Sequence, residues 1–246
     1  MNDLRGLYAI TPDDRLLPRL SALVEAALEG GVRVVQYRNK QAPAPLKRAQ
    51  AAELLRICRA FGARLIINDD VWLAIEIGAD GAHVGRDDLT GGDLAATREA
   101  LGPKRLLGVS CYGDLERAEA AARAGADYIG IGSLFPSATK PEADLTPLEV
   151  VREAKRRLQL PVAAIGGITV GHAPSVIRAG ADMVAVMYPL TPVDGISFTR
   201  NFGSIESAVR GFEGRKFRYE PRNQFEAEYS RYPTRSEEHT SELQSH

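Results

Sequence analysis

The stretch GADYIGIGS, residues 125–133, joins a Gly-Ala-Asp turn to a short apolar strand. The same turn occurs at residues 78–80 and 180–182, each time between a helical pattern and an apolar run. Glycine at such a position can adopt the left-handed conformation that ends a helix. The copies lie 47 and 55 residues apart, about two strand–helix units each, which indicates a fold built from similar repeated units.

Eight short apolar runs alternate with stretches whose apolar residues recur every three or four positions. This alternation predicts parallel strands that are joined by helical crossovers. The predicted strands are residues 5–11, 32–38, 64–69, 81–85, 106–111, 128–133, 161–167 and 183–188. Eight such strands favour a single (β/α)₈ TIM barrel, while an open doubly wound sheet with extra units is the alternative.

The chain has 246 residues, of which 44% are hydrophobic and 26% charged, enough for one main domain with a sizeable core. We expect the barrel to occupy residues 1–210. The segment 211–246 is polar and lacks an apolar period, so we expect it to form a disordered tail. Its final twelve residues, RSEEHTSELQSH, resemble the translation of a sequencing adapter, and we assign them no function.

The charge and apolar patterns narrow the range of partners. A formal net charge of −1 gives no global basic surface for nucleic acid. No signal-peptide pattern opens the chain, and no run approaches the ~20 apolar residues of a membrane span. We therefore expect a cytoplasmic protein that binds small molecules. The sequence leaves open whether the protein forms a homo-oligomer. Two cysteines, Cys58 and Cys111, are too few for a disulfide framework and are expected to be buried free thiols.

The second predicted strand carries unusual polar groups at its end, in the sequence VRVVQYRNK (32–40). Because side chains alternate along a strand, Gln36, Arg38 and Lys40 should share one face, with Tyr37 and Asn39 on the other. The ends of barrel strands converge on one rim, where loops build the site. Two cations facing the barrel interior there indicate an anionic ligand, and a solvated rim is the alternative.

Two carboxylates follow the third and fourth predicted strands. Asp69 and Asp88 would suit Mg²⁺, which prefers oxygen ligands and often binds substrate phosphates as well. The alternative is that both merely cap helices. His83, inside the fourth predicted strand, is expected to be a hydrogen-bonded core histidine, and His172 to lie at a helix start without a chemical role.

Two later loops have features of phosphate sites. Ser137, Thr139 and Lys140 follow the sixth predicted strand and offer two hydroxyls and a cation, although a flexible surface loop would look similar. Gly166 and Gly167 follow the seventh strand and would let the backbone approach a ligand closely, although a purely structural turn is the alternative. Together with the carboxylates, these loops predict two phosphate-bearing groups.

Eight motifs in this order resemble the thiamine-phosphate synthase family over roughly residues 5–190. They are LYAIT (7–11), QYRNK (36–40), INDD (67–70), GAHVGRDDL (81–89), GVSCY (108–112), SLFPSATKP (133–141), AIGGI (164–168) and GADMVAV (180–186). The resemblance implies a (β/α)₈ barrel that uses Mg²⁺. It also implies an enzyme that joins a pyrimidine methyl diphosphate to a thiazole phosphate and releases pyrophosphate.

The resemblance also implies residue roles. The implied catalytic residues are the cations Arg38, Lys40 and Lys140. They would stabilise the departing diphosphate while a pyrimidinylmethyl cation forms. The implied pyrimidine diphosphate ligands are Gln36, Arg38, Lys40, Asn68, Ser110 and Lys140, with Asp69 and Asp88 on Mg²⁺. The implied thiazole phosphate ligands are Ser137, Thr139, the main-chain N–H of Gly167, and the position of Met187 and Tyr188.

Three departures from the family pattern leave alternatives open. Ser137 stands where threonine is common, Arg86 where glutamine is usual, and Met187-Tyr188 where a small aliphatic residue and serine are common. The last departure makes a non-catalytic phosphate-binding barrel one alternative. The other alternative is a thiazole tautomerase, which would not need the whole diphosphate and metal set. Retention of that whole set favours the transferase.

Overall fold

The computed structural model describes residues 4–137 and 142–187. Within these ranges, eight strands alternate with helices, and each predicted apolar run coincides with one strand, β5 ending one residue past its run. The strands are β1 (Gly6–Ile10), β2 (Val34–Tyr37), β3 (Arg64–Asn68), β4 (Gly81–Val84), β5 (Leu106–Tyr112), β6 (Tyr128–Ile131), β7 (Val162–Ala164) and β8 (Met183–Met187). The strand predictions are therefore confirmed.

The helices lie between successive strands, as the repeated pattern predicts. They are α1 (Leu17–Glu29), α2 (Ala44–Ala60), α3 (Val71–Ile77), α4 (Leu94–Leu101), α5 (Leu115–Arg123), α6 (Leu148–Arg157) and α7 (Ala173–Arg178). In α1, Leu20, Val24 and Leu28 recur every four residues and are all buried, as an amphipathic helix against a core requires. The predicted last helix, the boundary at residue 210 and the tail lie outside the described residues.

The sheet closes on itself. Every neighbouring pair of strands is parallel, and β1 pairs with β2 on one side and with β8 on the other, where Gly6 lies opposite Met183. A closed sheet has no edge strand. The (β/α)₈ barrel is thus confirmed, and the open-sheet alternative is wrong.

The Gly-Ala-Asp repeats tie neighbouring strands together at their N-terminal ends. In each repeat the carboxylate accepts a hydrogen bond of 2.8 Å from a main-chain N–H of the preceding strand. The pairs are Asp80 with Leu65, Asp127 with Leu107, and Asp182 with Val162. The glycines have φ values of 71°, 83° and 102°, which favour glycine. The repeats are therefore structural, and they lie at the end of the barrel away from the strand C-termini.

The core has two parts, one inside the barrel and one between the strands and the helices. The interior part is lined by Tyr8, Ile10, Val34, Ile66, Leu106, Tyr128, Ala163, Met183 and Ala185. A filled interior is typical of this fold. Cys58 and Cys111 are buried and free, as predicted. Among the described residues, no helix has the length and apolar character needed to cross a membrane.

The strands end at one rim, called here the barrel mouth, where the loops that follow them meet. The structure also contains a cavity of about 300 Å³ at the opposite end, lined by Arg64 and Leu106, which begin β3 and β5. Sites in this fold lie at the carboxyl ends of the strands. The chemistry is therefore expected at the mouth.

Candidate active site

Lys40 and Asp69 meet at the barrel mouth, in the loops after β2 and β3. Lys40 Nζ lies 3.2 Å from Asp69 Oδ2. The neighbouring Asp70, not Asp69, caps α3, since its carboxylate accepts a 2.8 Å hydrogen bond from the Leu73 N–H. Asp69 has a φ of 65°, which is uncommon for a residue with a side chain and occurs often at functional sites. Because Asp70 occupies the capping position of α3, the capping alternative is wrong for Asp69.

Asp88 shares this location. Its Oδ2 accepts a 3.0 Å hydrogen bond from the Gly85 N–H, which folds the turn after β4. Burial raises the pKa of Asp88, and the charge of Asp69 and a hydrogen bond to it raise the pKa further, while the Gly85 N–H and the Lys40 charge lower it. Two carboxylates and an ammonium are thus close enough to influence each other's charge.

The pair of carboxylates fits a hard divalent cation. Both offer oxygen, and a cation between them would relieve the repulsion that raises the Asp88 pKa. Within residues 4–137 and 142–187, no group of three or more His, Cys, Asp or Glu side chains could hold a metal. The rest of the coordination would then come from water or from the oxygens of a bound ligand, as Mg²⁺ sites on phosphates commonly have it.

Arg38 and Lys40 are positioned by loop contacts rather than by a strand. β2 ends at Tyr37, so both residues lie in the loop that follows it. Thr11 Oγ1 accepts a 2.9 Å hydrogen bond from the Arg38 N–H, and Asp13 Oδ1 accepts one of 2.7 Å from the Lys40 N–H. Asp13 Oδ2 also lies 3.4 Å from Arg38 Nη1. The loop after β1 therefore holds both cations in place.

Thr11 and Asp13 were not predicted as site residues. The available signal was the polar run TPDD (11–14) directly after the first strand, in the same relation to its strand as the other site residues.

The other side of the same loop is anchored to α2. Tyr37 Oη donates a 2.7 Å hydrogen bond to Gln50 Oε1, and Asn39 Nδ2 donates one of 3.0 Å to the same atom. Gln50 is fully buried and its Nε2 donates to the Asp14 carbonyl at 2.8 Å. The prediction that Tyr37 and Asn39 face away from the barrel interior is confirmed.

A chain of hydrogen bonds crosses the barrel interior between two of the predicted ligands. Gln36 Nε2 donates to Tyr8 Oη at 2.7 Å, and Tyr8 Oη lies 2.7 Å from Tyr128 Oη. Tyr128 Oη lies 3.1 Å from His83 Nδ1, and His83 Nε2 lies 2.8 Å from Ser110 Oγ. We call these five residues the interior chain. Only Ser110 is not fully buried, so one end of the chain opens toward the mouth.

With Gln36 as the donor at one end, one direction of donation through the interior chain gives both tyrosine hydroxyl hydrogens a partner. Tyr8 accepts from Gln36 and donates to Tyr128, and Tyr128 donates to His83 Nδ1. Burial lowers the pKa of His83 to about 4, so the ring is neutral at pH 7, and in this direction of donation its hydrogen is on Nε2. His83 then donates to Ser110, whose own hydroxyl hydrogen is left for a ligand.

His83 is the hydrogen-bonded core histidine that the sequence predicts. Tyr8 and Tyr128 were not predicted, although buried tyrosine hydroxyls usually require partners.

Tyr128→Phe should lower the free energy of unfolding by about 1–3 kcal/mol, because it leaves buried hydrogen-bonding groups without a partner. Urea denaturation at pH 7 would measure the loss. Tyr112→Phe is the matched control: Tyr112 is 42% exposed, so the change should stay within about 0.5 kcal/mol. Equal losses in the two variants would contradict the importance of the interior chain.

The loops after β6 and β7 pack backbone against backbone. The Leu134 N–H donates to the Ile165 carbonyl, and the Phe135 N–H donates to the Gly166 carbonyl, each at 3.0 Å. Gly167 has a φ of 59°, and a Cβ there would overlap the carbonyl oxygens of Phe135 and Pro136. The chain at Ser137 therefore lies beside Gly167. Thr139 and Lys140 lie outside the described residues.

Two further predicted positions, Asn68 and Met187, lie at strand ends. Asn68 is the last residue of β3 and lines a cavity of about 60 Å³ together with Lys40 and Asp69. Met187 ends β8 and packs against the interior core. Tyr188 lies outside the described residues. Arg86, in the turn before Asp88, places its guanidinium 5.4 Å from the centroid of the Tyr112 ring, which is a cation–π distance.

Comparisons with known proteins agree on one family. A family model described as thiamine monophosphate synthase matches residues 7–190. A thiamine-phosphate synthase of Aromatoleum aromaticum is 50% identical over 184 residues, which are 75% of this chain and 87% of that protein. The corresponding protein of Methylococcus capsulatus is 51% identical over 183 residues, 74% of this chain and 80% of that protein.

A solved structure, thiamine phosphate pyrophosphorylase from Pyrococcus furiosus, has a TM-score of 0.66 and 35% identity, and the match covers 76% of this chain and 86% of that one.

Proposed function

Because this chain belongs to the thiamine monophosphate synthase family and is an enzyme that makes thiamine phosphate, we propose that the groups at its barrel mouth carry out the reaction. The substrates would be 4-amino-2-methyl-5-(diphosphooxymethyl)pyrimidine and a thiazole phosphate, and pyrophosphate would leave. The observation that carries this assignment is the meeting of Lys40, Asp69 and Asp88 at one point of the mouth.

The diphosphate would bind at the loops after β2, β3 and β4. Lys40 and Arg38 would supply positive charge, and Asn68 an amide donor. Asp69 and Asp88 would hold Mg²⁺, which would neutralise the diphosphate oxygens and complete its own coordination with them. Support comes from the Asp13 contacts that fix both cations and from the proximity of the two carboxylates.

The pyrimidine ring would bind beside the interior chain. Ser110 has a hydroxyl hydrogen available at the mouth, so it would donate to an acceptor on the substrate. Gln36 donates its amide N–H to Tyr8, which leaves its amide oxygen to accept from the substrate, and the ring amino group could be that donor. Lys140 would approach the same substrate from the loop after β6.

The thiazole phosphate would bind at the loops after β6 and β7. Ser137 and Thr139 would supply hydroxyls and Gly167 a main-chain N–H. Met187 and Tyr188 would border this subsite at the end of β8. The packing of the Ser137 loop against Gly167 supports a shared subsite.

The chemistry would need positioning and charge rather than a protein nucleophile. Breaking the carbon–oxygen bond to the diphosphate would give a pyrimidinylmethyl cation that the ring amino group stabilises. The thiazole nitrogen would then attack the methylene carbon of this cation. Arg38, Lys40 and Lys140 would stabilise the charge on the departing pyrophosphate. The two ring subsites would hold the reacting atoms in line. Because both substrates carry several charges and cross membranes poorly, we infer that the enzyme works in the cytoplasm.

The test is an assay of pyrophosphate release by purified protein with Mg²⁺. Release should require both substrates, and chelation of the metal should stop it until Mg²⁺ is added back. Release from the pyrimidine diphosphate alone would indicate a hydrolase and contradict the proposal. Binding of both substrates without release would contradict it as well.

We also propose that the barrel ends near residue 210 and that the segment 211–246 takes no part in catalysis. Deletion of residues 215–246 should leave the rate of pyrophosphate release and the melting temperature unchanged relative to the full chain. The rates and thermal unfolding of the two proteins would be measured side by side. A large drop in either quantity would show that the boundary is misplaced.

A further inference from the structure

His172 joins the two loops that would form the thiazole phosphate subsite. Its ring stacks on Phe135, with 3.9 Å between ring centroids and 8° between ring planes. Phe135 lies in the loop after β6, and His172 directly precedes α7. This helix-start position was predicted, and no sequence pattern indicated a functional role for His172. The stack therefore adds an aromatic contact between the loop after β6 and the segment that leads into α7.

The edge of the same ring is tied to the turn that contains Gly167. His172 Nδ1 lies 3.2 Å from the Gly167 carbonyl oxygen and 3.4 Å from the Thr169 main-chain nitrogen. With a hydrogen on Nδ1 the ring donates to Gly167, and without one it accepts from Thr169. Either tautomer therefore holds the ring to this turn.

The turn around Gly167 has little freedom to move without Phe135. Gly167 lies so close to the Phe135 and Pro136 carbonyls that only glycine fits. Among the residues that the structure describes, none accepts a hydrogen bond from the Gly167 N–H, which leaves that donor for a ligand. The position of this donor relative to Ser137 depends on how the two loops are held together.

We propose that His172 is a positioning residue for the thiazole phosphate subsite, acting through Phe135 and the Gly167 turn. The inference rests on the proposed function, which assigns Gly167 and Ser137 to that phosphate. The ring touches neither substrate in this account. It sets the spacing between a main-chain donor on one loop and a hydroxyl on the other. Removing it should therefore affect one substrate and not the other.

The test compares His172→Ala with wild type in steady-state assays and in calorimetric titrations with thiazole phosphate. The KM and the Kd for thiazole phosphate should rise about tenfold, the size expected from losing one stacked pair and one hydrogen bond. The KM for the pyrimidine diphosphate should stay within about twofold. His172→Phe, which keeps the stack, should recover part of the affinity, as should His172→Asn, which keeps a polar contact to the turn.

Val170→Ala is the matched control in the same loop, because Val170 is 91% exposed, and it should behave as wild type. Equal rises in both KM values, or losses that merely follow a lower melting temperature, would overturn the inference. Unchanged values in His172→Ala would do so too. The titration separates the role of His172 from the proposed function. If the wild type binds thiazole phosphate without turnover, only the proposed function is contradicted. A wild type that fails to bind it overturns both.

Discussion

Asp69→Asn should slow turnover by about 10²-fold or more, the usual effect of removing one group that stabilises charge in the transition state. Asparagine keeps the size and the oxygen but loses the negative charge that faces Asp88 and Lys40. The remaining carboxylate would hold Mg²⁺ weakly, so the Mg²⁺ concentration needed for half-maximal rate should also rise. Steady-state rates over a range of Mg²⁺ concentrations would measure both effects.

Asp87→Asn is the control for this experiment. Asp87 is exposed and directly precedes Asp88 in the same turn, so the variant removes the same charge from a neighbouring position. It should keep the wild-type rate and Mg²⁺ dependence. Wild-type behaviour in Asp69→Asn would remove Asp69 from the metal site, and equal losses in both variants would point to a general electrostatic effect.

Lys40→Met should lower kcat/KM for the pyrimidine diphosphate by about 10²-fold. A charge pair at 4 Å contributes roughly 4 kcal/mol at an effective dielectric of 20, and desolvation and solvent screening reduce that figure. Lys40 also lowers the pKa of Asp88, so its loss should favour protonation of a carboxylate that would hold the proposed Mg²⁺. Initial rates at varied pyrimidine diphosphate and saturating thiazole phosphate would measure the change.

Lys104→Met provides the comparison, because Lys104 is an exposed lysine at the opposite end of the barrel. Its kcat/KM should match that of wild type. If Lys40→Met also retains the wild-type value, the ion pair with Asp69 is a surface contact and the diphosphate binds elsewhere.

The strands could be predicted from the sequence because each one carries its own local signal. Short apolar runs between helical patterns predict strands that are buried on both faces. Such a run can be recognised without knowing which strands will pair with it. The closure of the barrel followed from the number of runs and from the spacing of the Gly-Ala-Asp turns. Strand alternation alone could not give the positions of Arg38 and Lys40, because β2 ends at Tyr37 and the chain beyond it follows contacts with Thr11 and Asp13.

The site could be predicted only as a set of residue types at one rim. The sequence cannot tell which of two adjacent aspartates caps α3, because the answer depends on the positive φ of Asp69. Nor does it reveal the interior chain, since Tyr8 and Tyr128 are 120 positions apart and look like ordinary buried aromatics. Contacts of this kind arise from the closure of the sheet, and a local pattern carries no information about them.

The direction of donation that Gln36 sets in the interior chain has a consequence for substrate selectivity. As long as Gln36 donates to Tyr8, a Ser110 hydroxyl that donated to His83 would leave the buried Tyr8 hydroxyl hydrogen without an acceptor in the chain. A ring that presents a lone pair at that position would be accepted, and an isostere that presents a hydrogen there would be rejected. The barrel wall would thus distinguish two heterocycles of identical shape by the placement of a single proton.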